Sequence, residues 1–282
     1  MTVSEPTPHT DDSRLFVAAL ARGMSVLAAF DENNPTMTLP DIAQACGVTK
    51  SAAQRFAHTL WTMGYLRKDP KSKRFSLAPR SLQLGMKYLQ TSAFVLSGTA
   101  FLHTLNRTSQ ETCSLAEPEG IEMVYVARFA THKEMFVNMP VGIRLPMYCS
   151  AGGRAIMACM DDQRVRHILK QSNRVAHTGN TITTLDKLMH EVDFTRKHGF
   201  GRSNGEIYAG DITISAAVRG ANNTPIGSVN VSVPSSRWQF EEAQAQFGPQ
   251  VIETARAIGA SKTIKNETPY YALSAPLSSE PA

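Results

Sequence analysis

Apolar residues recur at helical spacing along the N-terminal part of the chain. Val17, Leu20, Met24 and Leu27 stand at i, i+3, i+7 and i+10, which predicts an amphipathic helix over 15–30 with those four on its inner face. The polar run "DENNPT" reads as a turn. Thr38 is placed to cap a short helix with Asp41 at its third position, with Leu39, Ile42, Ala43 and Cys46 inward and Gly47 as its stop. Thr49 is placed to cap a third helix, on which Ala53, Phe56, Leu60 and Met63 face inward while Ser51, Gln54, Arg55 and His58 fall on the opposite side. "GYLRK" and "RFSL" then predict two short strands around the turn "DPKSK".

Beyond residue 92 the period alternates between that of strands and that of helices. Strands are predicted at 111–116, 122–128, 135–139, 201–207, 212–219 and 226–233, and helices at 94–107, 151–160, 163–171, 185–198 and 240–261. Hairpin-like spacing implies a mainly antiparallel sheet with flanking helices. In the last two strands Ile212, Ile214, Ala216 and Val218 alternate with Thr213, Ser215 and Ala217, and Val229, Val231 and Val233 with Ser228, Asn230 and Ser232. One face is thus lined by neutral hydroxyl and amide groups, which suits a concave pocket; a partly exposed sheet face is the plainer alternative.

Charge sharpens the N-terminal reading. Thr49 to Arg80 carries a net charge of +7, although the whole chain of 282 residues carries only +5. Such a segment attached to a neutral domain fits a polyanion, since each phosphate contact releases condensed counterions. Two helices joined by a short turn, with a donor-rich face on the second, form the arrangement that enters a major groove. Gln54 and Arg55 are the side chains suited to base edges, with Thr49, Lys50, Ser51 and His58 beside them. Lys68, Lys71, Lys73 and Arg74, expected at the hairpin tip, would lie along phosphates. A winged helix-turn-helix accounts for helices, hairpin and charge together.

At this point three segments, "ARGMSVLAAF", "MTLPDIAQACGVTKSAAQRFAHTLWTMGYL" and "KRFSLAPRSLQLG", resemble the DNA-binding half of the IclR family of bacterial transcriptional regulators. "RLPMYCSAGGRAIMA" is similar to the family's effector-domain segment with its Gly-Lys/Arg-Ala run. "GFGRSNGEIYAGDITISAAV" is similar to its C-terminal signature, with Gly199, Ser203 and Glu206 at the recurring positions. Thr213, Ala217 and Arg219-Gly220 depart from the usual pattern. The resemblance, spanning about 14–262, implies an α+β chain: a winged helix-turn-helix domain over 14–77, a linker helix over 78–92 that helps dimerisation, and a GAF-like α/β effector-binding domain over 93–262. The remainder, 263–282, lacks periodicity and reads as a mobile tail. Leu82, Leu84, Met86 and Leu89 give the linker apolar surface without a strict heptad.

The predicted helix start near Ala151 would offer the amides of Ala151, Gly152 and Gly153 to a carboxylate. The resemblance places effector contacts at this helix start, covering Ala151 and Gly152, and at Ser203, Thr213, Asn230 and Ser232. Met147, Tyr148 and Tyr125 are candidates for an apolar wall, or for ordinary core. The expected partners are a double-stranded DNA operator, a small effector bearing a carboxylate, and a second or further copies of the chain as homodimer or homotetramer.

Cofactors and metals are not implied: Cys46, Cys113, Cys149 and Cys159 have no zinc or disulfide spacing, and read as reduced cytoplasmic thiols. No apolar run reaches the about 18 residues of a membrane span, and no membrane partner is expected. An enzyme with Cys149 as nucleophile is the alternative, with His103, His132, His167 or His198 as base, yet no local motif ties a histidine to that cysteine. A purely architectural DNA-binding protein would leave the second domain without a purpose.

Overall fold

The computed structural model describes residues 15–131, 133 and 139–265, in two compact units, the first ending at Gln90 and the second beginning at Thr91. The first unit contains α1 (Ala18–Ala28), α2 (Leu39–Ala45), α3 (Lys50–Thr62), β1 (Leu66–Lys68), β2 (Phe75–Leu77) and all but the last residue of α4 (Leu82–Thr91). Its core is Val26, Phe30, Met37, Ile42, Ala53, Ala57, Leu60, Leu66 and Phe75. Thr38 and Asp41 form a reciprocal capping box on α2, and Thr49 caps α3 through the Ala52 amide. Gly47 adopts a left-handed conformation at the α2 turn, with φ of +61°. β1 and β2 form an antiparallel hairpin, and Met37 adds a bridge to Phe75 that the sequence pattern does not reveal.

The inner face of α1 differs from the expectation. Val26 and Phe30 are buried, whereas Val17, Leu20 and Met24 are 62, 65 and 51% exposed. The helix is apolar on nearly every side, so two stripes satisfy the same period, and packing against α3 selects the other one. On α3, likewise, Ala57 is buried and Met63 is exposed at the C-cap.

The second unit contains α5 (Ala93–Ser109), β3 (Thr112–Glu119), β4 (Glu122–Phe129), β5 (Arg144–Pro146), α6 (Ala151–Met157), α7 (Asp162–Gln171), α8 (Leu185–His198), β6 (Gly201–Asn204), β7 (Asp211–Arg219), β8 (Pro225–Pro234), α9 (Phe240–Gly259) and α10 (Lys262–Lys265). Its antiparallel sheet has the order β5-β4-β3-β8-β7-β6. The predicted strand 135–139 lies largely outside the described residues, and β5 was not predicted. The strand expected over 201–207 stops at Asn204, because Gly205 turns back with φ of +65° and its amide donates to the Asp211 carbonyl. The chain after 262 is not all tail: α10 buries Ile264 completely, while 266–282 lie outside the described residues.

Register decides the faces. Thr112, Ser232, Thr213 and Ser203 form one cross-strand row, and Arg128, Ser114, Asn230 and Ser215 the next. The alternate rows are apolar and meet α5 and α9; a Cβ on Gly98 of α5 would lie 2.6 Å from Leu115, and one on Gly227 would lie 2.4 Å from the Phe94 ring. The polar rows meet α6, whose Gly152 sits against Ser228 and Asn230.

The edge strand β6 is strapped by side chains. Arg154 donates to the Arg202 carbonyl at 2.7 Å, Asn180 to Asn204 at 3.2 Å, Thr178 to Gly205 at 2.5 Å and Thr181 to Glu206 at 2.6 Å. The other edge, β5, is three residues long, and Arg144 within it bridges Glu119 and Glu122.

Candidate functional site

Two places carry chemistry, one in each unit. On α3, burial alternates so that Ala53, Ala57 and Leu60 are inside while Lys50, Ser51, Gln54, Arg55 and His58 are exposed together. Gln54 and Arg55 make no side-chain hydrogen bond among the described residues. Thr49 is committed to the cap and touches Ser51 at 3.1 Å.

The hairpin turn is organised by Asp69, whose carboxylate accepts the Lys71 and Ser72 amides and the Ser72 hydroxyl. Those bonds hold the Asp69 carboxyl below its ordinary range. They set up a left-handed Lys73, φ 59°. Lys71 and Lys73 are exposed on this turn. The other two basic residues expected at the tip are elsewhere. Lys68 lies in β1 with its ammonium 5.5 Å from the Phe75 ring and 6.0 Å from Trp61. Arg74 turns back, donating to the Thr36 hydroxyl and carbonyl at 2.9 and 2.8 Å, with Asp41 at 3.5 Å. Arg74 therefore ties the hairpin to the start of α2.

In the second unit the neutral face is knitted by its own hydrogen bonds. Thr213 Oγ1 donates to Asp211 at 2.9 Å, which leaves Ser232 Oγ, also at 2.9 Å, to donate to Thr213. Asn230 donates to the Ser114 carbonyl at 3.2 Å, and Ser203 to the Cys149 carbonyl at 3.4 Å. Ser203, Thr213 and Ser232 are thus one row, with Asn230 in the next and Gly152 above it. Ala151 is packed differently, its carbonyl backed against Gly201. The Gly153 amide, expected to be open, is taken by Ser150 Oγ at 3.1 Å.

Two charged residues on this face escaped the sequence reading: Arg128, opposite Ser114, and Asp211, two positions before Thr213. Only register reveals them, since each sits at the end of its strand. Burial raises the Asp211 carboxyl to about 6, while the Thr213 bond and the Arg128 charge pull the other way. A carboxyl raised on folding contributes stability that is complete below its ordinary range and lost as pH rises through about 6. Asp211→Asn is therefore expected to flatten the pH dependence of unfolding between about pH 4 and 6 and to stabilise the second unit near pH 7.5 by about 2 kcal/mol, after allowing for its partial exposure. Urea denaturation across that pH range checks this; an unchanged slope would refute it.

The signature residues have a structural explanation. Arg154 and Glu206 form a buried bidentate ion pair at 2.5 and 2.7 Å, 1% and 4% exposed, with further bonds to the Tyr148 carbonyl and the Ile182 amide. Cys149 is fully buried, and burial pushes its thiol up to about 12, which is opposite to a nucleophile's requirement. His103 packs on Phe129 and His198 on Phe194; His132 lies outside the described residues. Among the described residues no group of three or more His, Cys, Asp or Glu can hold a metal ion. None of the described helices is long and apolar enough to cross a membrane.

Comparison with known proteins converges on the same organisation. Residues 19–70 match the IclR helix-turn-helix domain, and residues 86–260 match the bacterial transcriptional regulator IclR C-terminal family. The Pca regulon regulatory protein of Pseudomonas putida is 30% identical over 242 residues, covering 86% of this chain and 82% of that protein. The p-hydroxybenzoate hydroxylase transcriptional activator of Acinetobacter baylyi is 25% identical over 259 residues, covering 89% and 95%. A solved transcriptional regulator from Rhodococcus sp. RHA1 superposes with a TM-score of 0.76 at 31% identity, covering 88% and 98%. The chain, an N-terminal helix-turn-helix domain followed by a curled α/β domain, belongs to the IclR family of bacterial transcriptional regulators.

Proposed function

We propose that this chain is an effector-responsive regulator that binds operator DNA through α3 and the hairpin and binds a small organic acid on the polar face of the second unit. The observation that carries the reading is the uncommitted pair Gln54 and Arg55 on the exposed side of α3, backed by Lys71 and Lys73. An amide suits adenine and a guanidinium suits guanine, while the lysines supply sequence-independent affinity. The DNA-binding domain would span 14–77, the linker 78–92 and the effector domain 93–265.

A homodimer is supported by apolar residues left exposed on α1 and α4, including Leu20, Met24, Leu82 and Leu84. Two copies would set two recognition helices on repeated half-sites. An aromatic acid is favoured by the relative named for p-hydroxybenzoate hydroxylase and by Tyr125 and Met147 in the adjoining core. The regulated genes would then be catabolic ones for such an acid. For the effector to act it must bind one DNA-binding arrangement better than the other, by about 1–3 kcal/mol in typical cases.

The test is capture of fragmented genomic DNA, followed by titration of the enriched fragment. Arg55→Ala is expected to lose about 1–3 kcal/mol of discrimination between that fragment and random DNA. Lys71→Ala and Lys73→Ala are each expected to weaken both equally and flatten the salt slope by about 1; at Lys73 the left-handed backbone is no obstacle, since lysine and alanine carry the same Cβ. Intact discrimination by Arg55→Ala would remove α3 as the reading element.

A further inference from the structure

Strand β6 lies at the border of the sheet, and its backbone groups are unevenly used. The Gly205 amide donates inward to the Asp211 carbonyl, so the alternation of an antiparallel pair turns the amides and carbonyls of Arg202 and Asn204 outward. The two outward carbonyls are taken, by Arg154 at 2.7 Å and by Asn180 at 3.2 Å. The two outward amides have no partner among the described residues. Arg154, 1% exposed, adds a third donor of this kind, since its buried Nε has no partner among the described residues either.

These donors adjoin a cavity of about 270 Å³ that is lined in succession by Arg202, Ser203 and Asn204. Successive side chains of a strand face opposite ways, so a cavity that meets three in a row opens on the strand's border. Arg154, Glu206 and Glu191 give it a polar wall, Ile182 and Phe240 an apolar one. The carboxylates of the polar wall are already engaged: both Glu206 oxygens accept from Arg154, and both Glu191 oxygens accept from Arg202 at 3.0 Å. Donors left without acceptors away from water are costly, which favours an occupant that only accepts. The two ion pairs cancel, so no spare cation in this wall invites a second negative charge. We infer that the cavity binds a short monocarboxylic acid, with its carboxylate on the Asn204 amide between Arg154 and Asn180 and its alkyl end toward Ile182 and Phe240. Among the residues assigned to the effector, Ser203 alone lines it, so the site is separate from the polar face and stands independently of the effector-site reading.

Nuclear magnetic resonance of the full chain, with only its asparagines labelled by nitrogen-15, tests this. Asn204→Ala identifies the Asn204 signal by deleting it. Propionate, propionamide and sulfate are the probes, each titrated at constant ionic strength. Propionate is expected to shift the Asn204 amide signal saturably, and propionamide, which brings donors to a donor-rich wall, to leave it in place. Sulfate is expected to bind at least about 10-fold more weakly than propionate, because its second charge has no counter-ion. Asn204→Pro removes the amide donor at an outward position, where a border strand tolerates proline. Followed at the Asn180 signal, it should weaken propionate binding by about 10-fold, whereas Asn204→Ala, which keeps the amide, should stay within about 3-fold of the parent. A cooperative melt shows that each variant is folded. Should the proline variant fail that check, Ile182→Trp, which fills the cavity, is expected to abolish the propionate shift at Asn204. Ser232→Val, on the polar face, is expected to leave that shift unchanged. The inference is overturned by a propionate titration without a saturable shift, by an equal response to propionamide or sulfate, by survival of the shift in Ile182→Trp, or by its loss in Ser232→Val.

Discussion

Glu206→Ala is expected to destabilise the second unit by about 3–5 kcal/mol, the cost of leaving a buried charge without its counter-ion. The carboxylate accepts both Arg154 bonds and the Ile182 amide, at a site where neither side chain is more than 4% exposed. Domains have only about 5–15 kcal/mol in hand, so this one change removes a large share of it. Urea unfolding followed by Trp238 fluorescence in a Trp61→Phe background reads the effect in the correct unit, as those are the only two tryptophans. Arg154→Met combined with Glu206→Leu is expected to recover more than half of the loss, because two apolar groups leave no charge to solvate. A loss below about 1 kcal/mol for the single variant would show that water reaches the guanidinium.

Gly153→Ala is expected to cost about 3 kcal/mol or more, against the gain of up to about 1 kcal/mol that alanine gives in a helix. The added methyl would lie 2.3 Å from both the Cα and the carbonyl oxygen of Met147. Those are backbone atoms, so no rotamer relieves the contact and α6 must move off the turn at Met147–Cys149. Because Gly152 of α6 touches Ser228 and Asn230, the shift would also disturb the polar face. Chemical denaturation and effector titration on the same sample check both consequences; wild-type stability would mean that the turn yields instead.

The long helices and the alternating strands were legible because their signals are local. The spacing of α8 gives its bounds as Leu185–His198, and the alternation in β7 and β8 separates Thr213 and Ser232 from Ile214 and Val231 before any pairing is known. What the pattern withheld is whatever depends on distant residues. β5 has three residues, too short for any period to register. The face of α1 follows from packing against α3, since the helix itself offers two equal stripes. Arg154 and Glu206 are 52 positions apart, and each alone resembles a surface charge. The same holds for Arg128 and Asp211, whose shared face exists only once β4, β3, β8 and β7 are in register. Arg74 reads as one more basic residue until its bonds to Thr36 show it serving the fold.

The strapping of β6 has a consequence for how the protein behaves when crowded. Open sheet borders recruit strands from neighbouring molecules and seed aggregates. Here the carbonyls of Arg202, Asn204, Gly205 and Glu206 along one border accept from side chains, and the opposite border is only three residues long. At the β6 border the sheet cannot be lengthened by an incoming chain without first peeling away the 173–184 segment or Arg154. Pairing through an added strand is thereby opposed at that border, and contact between copies is left to other surfaces, such as the exposed apolar side of α1.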